Sequence, residues 1–199
     1  MKLPYEYYQQ QDVVAIAKDL IGKVLCTYLD NQFTSGIITE TEAYAGIQDK
    51  ASHAYGGKRT KRNEVMYHAG GKAYVYLCYG MHTLFNVVTN TEGIPHAVLI
   101  RGIYPLDGIP IILQRRKAKQ ISPQLTLGPG KVTQALGIRL SHNGLDLTQN
   151  ILWIEDRKIR IPENAINIGK RVGIDYAEED ALLPYRFYVD SKNLSPNCF

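Results

Sequence analysis

A chain of 199 residues is long enough for one ordinary domain with a sizeable core, and too short for several. With 45% hydrophobic and 21% charged residues it reads as a folded globular protein, which excludes a disordered or fibrous chain. The net charge of +4 is too mild to name a polyanionic partner, so the placement of the cations carries more than their sum.

Met1-Lys2-Leu3-Pro4-Tyr5 lacks the apolar centre of a signal peptide, and no run along the chain is long and apolar enough to cross a membrane. Residues 12–20 read as a helix, since Val13, Ile16, Ala17, Leu20 and the adjoining Ile21 recur at helical spacing, with Gly22 as the stop. Residues 23–29 and 33–45 alternate as strands, joined by the turn-forming pair Asp30-Asn31. A polar loop over 46–65 follows. It holds His53, the pair Gly56-Gly57 and the run Lys58-Arg59-Thr60-Lys61-Arg62, and its length alone points to a functional surface. Strands are predicted over 72–79, 84–89 and 97–103. Helices are predicted over 108–120, which ends in a second basic run at Arg115-Arg116-Lys117, and over 131–136, opened by Gly128-Pro129-Gly130. From His142 onward the pattern is short strands and turns. No repeat or composition break divides the chain, and strands and helices do not alternate regularly, so the expectation is a single compact α+β domain over 1–199.

Cys26, Cys78 and Cys198 are widely spaced and odd in number, which fits reduced thiols in a cytoplasmic protein. The histidines at 53, 68, 82, 96 and 142 form no pairing with metal-ligand spacing, so no metal site is expected.

Chemistry concentrates in two strands. Alternation puts Glu40, Glu42 and Tyr44 on one face of the second strand, where they must meet water, cations or a site. A solvated face with a surface tyrosine is one reading; a carboxylate set among flat rings is the other. In 72–79, Tyr74, Tyr76 and Cys78 share a face, while Tyr79 meets Gly80 at a turn, with Met81 and His82 beside it. A bulky ring at a hairpin tip is how a wedge into a base stack is presented, though tyrosine is also an ordinary strand residue. Gly128-Pro129-Gly130-Lys131 lacks the P-loop pattern, but a helix N-terminus can still hold a phosphate. A non-catalytic nucleic-acid module would use the same cations and tyrosines, yet a carboxylate among them repels phosphate. A nucleoside hydrolase would use the carboxylate and rings, yet has little use for a projecting Tyr79 or two basic runs.

Several colinear segments resemble the alkyladenine (3-methyladenine) DNA glycosylase family: Glu40-Thr-Glu-Ala-Tyr44, Lys50-Ala-Ser-His-Ala-Tyr-Gly-Gly57, Arg62-Asn-Glu-Val-Met66, Ala73-Tyr-Val-Tyr-Leu-Cys-Tyr-Gly-Met81, Ala97-Val-Leu-Ile-Arg101 and Leu127-Gly-Pro-Gly-Lys131. The likeness runs from about residue 15 to 189 and includes Pro184-Tyr-Arg-Phe-Tyr-Val189. It implies an α+β fold with a curved, mainly antiparallel sheet and surrounding helices. It also implies a monomeric, monofunctional enzyme, without cofactor, metal or lyase activity, that excises damaged purines from double-stranded DNA. By position, Glu42 corresponds to the family's general base and Arg101 to an arginine that helps place the catalytic water. Tyr44, His53 and Tyr76 correspond to the residues that sandwich the flipped base, and Asn86 to the one that collides with guanine's exocyclic amino group. Tyr79, with Met81 beside it, corresponds to the intercalating tip, and Lys58, Arg59, Arg62 and Lys131 are the candidates for phosphate contacts. The resemblance leaves open which of 3-methyladenine, hypoxanthine, ethenoadenine or 7-methylguanine is preferred. Two departures are visible: Lys61 stands where the family has proline in the basic loop, and Tyr67-His68-Ala69-Gly70-Gly71 lacks a proline before its glycine. Glu40 has no role by this comparison.

Overall fold

The structure, a computed structural model, describes residues 1–190. Its frame is a curled antiparallel sheet of eight strands with a few helices packed against it, an α+β architecture. The first hairpin joins β1 (Val24–Leu29) to β2 (Gln32–Tyr44) through Asp30 and Asn31, both left-handed, as a two-residue turn between twisted strands requires. A second hairpin joins β3 (Ala73–Cys78) to β4 (His82–Thr89), which pairs with the long β5 (His96–Asp107). β5 returns along β2, and β1 continues to β6 (Leu152–Glu155), giving the order β3-β4-β5-β2-β1-β6. The last hairpin, β7 (Ile166–Gly169) with β8 (Arg186–Val189), attaches through β8 to the Glu40–Glu42 stretch of β2.

Pairing between β2 and β5 is not regular. Ile38 faces Ile103 and Glu40 faces Gly102, which leaves Thr39 extra on β2; Thr41 then faces Ile100, which leaves Arg101 extra on β5. Two opposed bulges therefore sit where the two strands carry Glu40 and Arg101, and bulges of this kind re-aim side chains beside sites.

Among the described residues four α-helices flank the sheet: α1 (Tyr5–Tyr8), α2 (Val13–Asp19), α3 (Ile109–Arg115) and α4 (Pro129–Leu136). The Asp12 carboxylate caps α2 by accepting from the Val14 and Ala15 amides, and Val13, Ile16 and Ala17 enter the core. The short α1 was not anticipated. α3 stops at Arg115 rather than continuing to 120, because Lys117 is left-handed and the Ala118 N–H turns back to the Leu113 carbonyl. The 46–67 segment is not a featureless loop: three 3-10 turns break it up, and Asp49, Ala51, Ala54 and Asn63 are buried. Asn63 sets the basic turn. It accepts from the Thr60 N–H at 2.6 Å and donates to the carbonyls of His53 and Lys58, both at 2.8 Å, so the turn is held without a proline at 61.

The main core lies between the sheet and α1, α2 and α4, around Tyr8, Leu20, Phe85, Ile100 and Leu136. Among the described residues no helix is long and apolar enough to cross a membrane, and Cys26 and Cys78 are both free thiols; Cys198 lies outside them.

Candidate functional site

A cleft of about 760 Å³ opens where the β3–β4 hairpin, the 46–67 segment, the N-terminus of α4 and the chain before β8 meet. Its volume is that of a small-molecule or base pocket. Tyr44, His53, Tyr76, Asn86 and Arg101 all line it, so five residues from five separate stretches of sequence converge. Tyr79, Arg62 and Lys131 lie on its rim.

The aromatic wall is built by alternation. Tyr74, Tyr76 and Cys78 point from one face of β3 into the cleft. The 46–67 segment delivers His53 against them: its ring centroid is 4.7 Å from that of Tyr76, edge to face, and its Nδ1 is hydrogen-bonded to the Tyr74 hydroxyl at 2.8 Å. Burial, with Arg62 and Lys58 nearby, lowers the His53 pKa to about 4, so the ring is neutral at physiological pH. Asn86, buried on β4, donates to the Tyr74 carbonyl at 3.1 Å and is thereby fixed in orientation.

Behind Tyr44, Arg101 and Val172, which line the cleft, lies Glu42, with no exposed surface. Its Oε1 accepts the Val172 N–H at 2.7 Å and faces Arg101 Nε at 3.4 Å; its Oε2 accepts the Tyr44 hydroxyl at 2.9 Å. Burial pushes the Glu42 pKa above the usual carboxylate range, with Arg101 and the two hydrogen bonds pulling against it. The carboxylate is poised to take a proton and is too well surrounded to be spare surface charge. The solvated reading of the Glu40-Glu42-Tyr44 face is therefore overturned: Glu40 is also buried, with Arg101 Nε at 3.0 Å and Arg186 Nε at 2.7 Å from its Oε1. β8 and the bulged β5 bring the cations that the strand pattern left unassigned.

The hairpin tip is as the turn chemistry requires. Tyr79 is left-handed (φ 49°) and 86% exposed, followed by a left-handed Gly80 and an exposed Met81. A bulky residue with positive φ is an uncommon, strained conformation, held here by the Met81 N–H donating to the Cys78 carbonyl.

The basic candidates divide. Arg62 lies over the Tyr76 ring at 5.1 Å, and Lys131 extends from α4 to the Gln124 carbonyl. Lys58 is exposed. Arg59 is already bidentate with Glu64 and lies over Tyr67, so a phosphate there must compete. Of the second basic run, Arg115 turns inward to Thr34, Gln32 and the Ala135 carbonyl, while Arg116 lines the cleft.

The sequence pattern missed the segment before β8. Arg171, fully buried, is bidentate with Asp49 at 2.5 and 2.8 Å, and also donates to the carbonyls of Ala43 and Asp180. Its guanidinium lies 4.9 Å from the Tyr44 ring, so it backs the cleft wall and ties the 46–67 segment to the 171–180 segment. Val172 and Tyr176 complete the lining. Nothing in local pattern marks these residues, because their partners Asp49, Glu42 and Ala51 lie more than 120 positions away. Among the described residues no group of three or more His, Cys, Asp or Glu side chains is arranged to hold a metal ion.

Comparison with known proteins is consistent over nearly the whole chain. The family model described as methylpurine-DNA glycosylase (MPG) matches residues 6–193. A protein of Chlamydia felis is 50% identical over 192 residues, covering 96% of this chain and 97% of its own. Proteins of Desulfitobacterium hafniense and Clostridium acetobutylicum are each 46% identical, covering 95% of this chain and 95% and 94% of their own. All three carry the name "Putative 3-methyladenine DNA glycosylase".

Proposed function

The chain belongs to the methylpurine-DNA glycosylase family, a family of base-excision-repair hydrolases, and we propose that it flips alkylated or deaminated purines from duplex DNA and hydrolyses their N-glycosidic bond with a water activated by Glu42. The observation that carries this reading is the Glu42 carboxylate itself: buried, held by Val172 N–H, Tyr44 O–H and Arg101, and set directly behind an aromatic cleft of base-pocket size.

Extruding a nucleotide costs roughly a few kcal/mol, and stacking on an aromatic ring returns roughly 1–3 kcal/mol per base. Tyr44, His53 and Tyr76 would supply that stacking within one cleft, while Tyr79, projecting from the adjacent hairpin with Met81, fills the gap left in the duplex. Arg62, Lys131 and Lys58 would take phosphates flanking the lesion, with Arg59 joining only by leaving Glu64.

An alkylated purine such as 3-methyladenine is cationic and departs without further protonation. The remaining work is to deprotonate water and to stabilise positive charge developing on the sugar. A carboxylate whose proton affinity is raised by burial does both, and each Glu42 oxygen keeps a lone pair beyond its present hydrogen bonds. Arg101 would steady the water. Asn86 supports selectivity by exclusion: with its amide tied to the Tyr74 carbonyl it cannot swing away from guanine's exocyclic amino group. The reaction proceeds without a Schiff base, consistent with a monofunctional enzyme, and the 1–199 span acts as one glycosylase domain.

Glu42→Gln is the test. Duplex oligonucleotides carrying hypoxanthine, or methylated duplex DNA releasing 3-methyladenine, should remain bound while base release falls by about 10²-fold or more. Excision near the wild-type rate overturns the assignment of the base. Equal action on a free nucleoside would instead favour a nucleoside hydrolase.

A further inference from the structure

Glu40 is an acidic side chain, 3% exposed, that the reaction just described does not use. Buried carboxylates are costly unless paired, and here the surrounding backbone is arranged around one. The opposed bulges at Thr39 and Arg101 sit on either side of the Glu40–Gly102 pair. Gly102 leaves the carboxylate its space: a Cβ there would lie 3.1 Å from Glu40 Cβ and 3.5 Å from its Oε2. Two arginines from different strands, Arg101 on β5 and Arg186 on β8, then share the single oxygen Oε1, at 3.0 and 2.7 Å. Glu40 and Arg186 line a second cavity of about 420 Å³, whereas Arg101 lines the first. Glu40 thus stands outside the base cleft, and its hydrogen-bonded link to that cleft runs through Arg101.

Arg101 Nε is nearer to Glu40, at 3.0 Å, than to Glu42, at 3.4 Å. An arginine free of Glu40 would close on Glu42 as a charge-assisted pair and weaken it as a base. We propose that Glu40 is a positioning residue that competes with Glu42 for Arg101, holding the guanidinium at the cleft while leaving the Glu42 carboxylate free to accept a proton. Arg186 is the counterweight: by neutralising Glu40 from β8 it limits how far Arg101 is drawn away. This inference rests on Glu42 being the base.

The groups facing Glu42 come from every neighbouring element: Glu40 and Tyr44 on its own strand, Arg101 on β5, Arg186 on β8, and Arg171 behind the Tyr44 ring. Removing the negative charge at 40 makes Glu42 more acidic, both directly and by releasing Arg101. Removing the positive charge at 186 does the reverse. The two substitutions therefore act in opposite directions on pH dependence, which loss of a structural staple does not produce.

The experiment is a set of single-turnover pH profiles for release of 3-methyladenine from methylated duplex DNA, a cationic leaving group whose departure needs no enzyme acid. The acid limb then reports the base. Glu40→Gln should move that limb to lower pH by roughly one unit and reduce the plateau rate about tenfold, with DNA affinity unchanged. Arg186→Gln should move the limb to higher pH. If both variants lose rate and melting temperature while the limb stays at its wild-type position, the side chains are a staple only and the proposal is overturned. Should Glu40→Gln not fold, Arg186→Gln decides alone: an unmoved or lowered limb overturns it. Glu42→Gln in the same series separates the two claims. An active Glu42→Gln refutes the base assignment and this inference with it; an inactive one beside unshifted profiles refutes this inference alone.

Discussion

Replacing Asp49 with alanine removes the partner of a guanidinium that has nowhere else to go. Arg171 and Asp49 side chains are 0% and 1% exposed, joined by two bonds of 2.5 and 2.8 Å, and the carboxylate also accepts the Ala45 and Ala51 amides at 2.9 and 3.0 Å. Arg171 keeps its bonds to the Ala43 and Asp180 carbonyls, but neither carries charge. Breaking a buried pair from one side costs about 3–5 kcal/mol, because an unpaired charge is left in a low-dielectric site. For a chain of this size each kcal/mol lowers Tm by about 2–4 °C, which gives a fall of roughly 6–20 °C. Thermal melts followed by circular dichroism, with urea unfolding as a second measure, read this directly. The double variant Asp49→Ala/Arg171→Met removes the stranded charge and should recover part of the loss. A single-variant cost below about 1 kcal/mol, or a double variant less stable than the sum of the singles, would refute the assignment of a desolvated, mutually dependent pair.

Tyr79→Ala should weaken capture of a lesion-bearing duplex by about tenfold or more, the equivalent of one lost base–aromatic contact, while leaving Tm within a degree or two because the ring touches little of the body. Wild-type lesion affinity and excision would remove the wedge role. His53 supplies a pH test: its folded pKa of about 4 lies below the ordinary 6.5, so the unfolded chain takes the proton first as pH falls. Stability from the neutral ring is complete above 6.5 and is lost on going from 6.5 toward 4, at up to about 1.4 kcal/mol per pH unit. Urea unfolding across that window should show a shallower decline for His53→Gln than for the wild type, and parallel declines would sink the argument.

Much of the frame was legible in local pattern. Helical spacing with Gly22 as the stop located α2, and Asp30-Asn31 located the first hairpin. Alternation correctly sent Tyr74, Tyr76 and Cys78 one way on β3, and Gly80 after Tyr79 placed the exposed ring. Where the reading failed, either a backbone turn or a distant partner had decided. Residues 116–120 left the helix because Lys117 turns left-handed and Ala118 returns to Leu113. Arg115, part of the second basic run, is drawn inward by Thr34 and Ala135, partners supplied by β2 and α4. The face of Glu40 and Glu42 could be read as solvated because nothing within a few residues offers a cation.

By itself the sequence determined which side chains exist to do chemistry and the order in which they occur. Period-2 alternation and turn residues are short-range steric facts, and colinear motifs are enough to assign a family. Tertiary structure alone decided what surrounds the carboxylates: the opposed bulges that turn Arg101 toward both, Arg186 arriving from β8, the Val172 N–H on Glu42 and Arg171 behind Tyr44. The physical reason is that a buried carboxylate takes its charge state and its usefulness from groups within a few ångströms, and here those groups come from strands and turns far away along the chain.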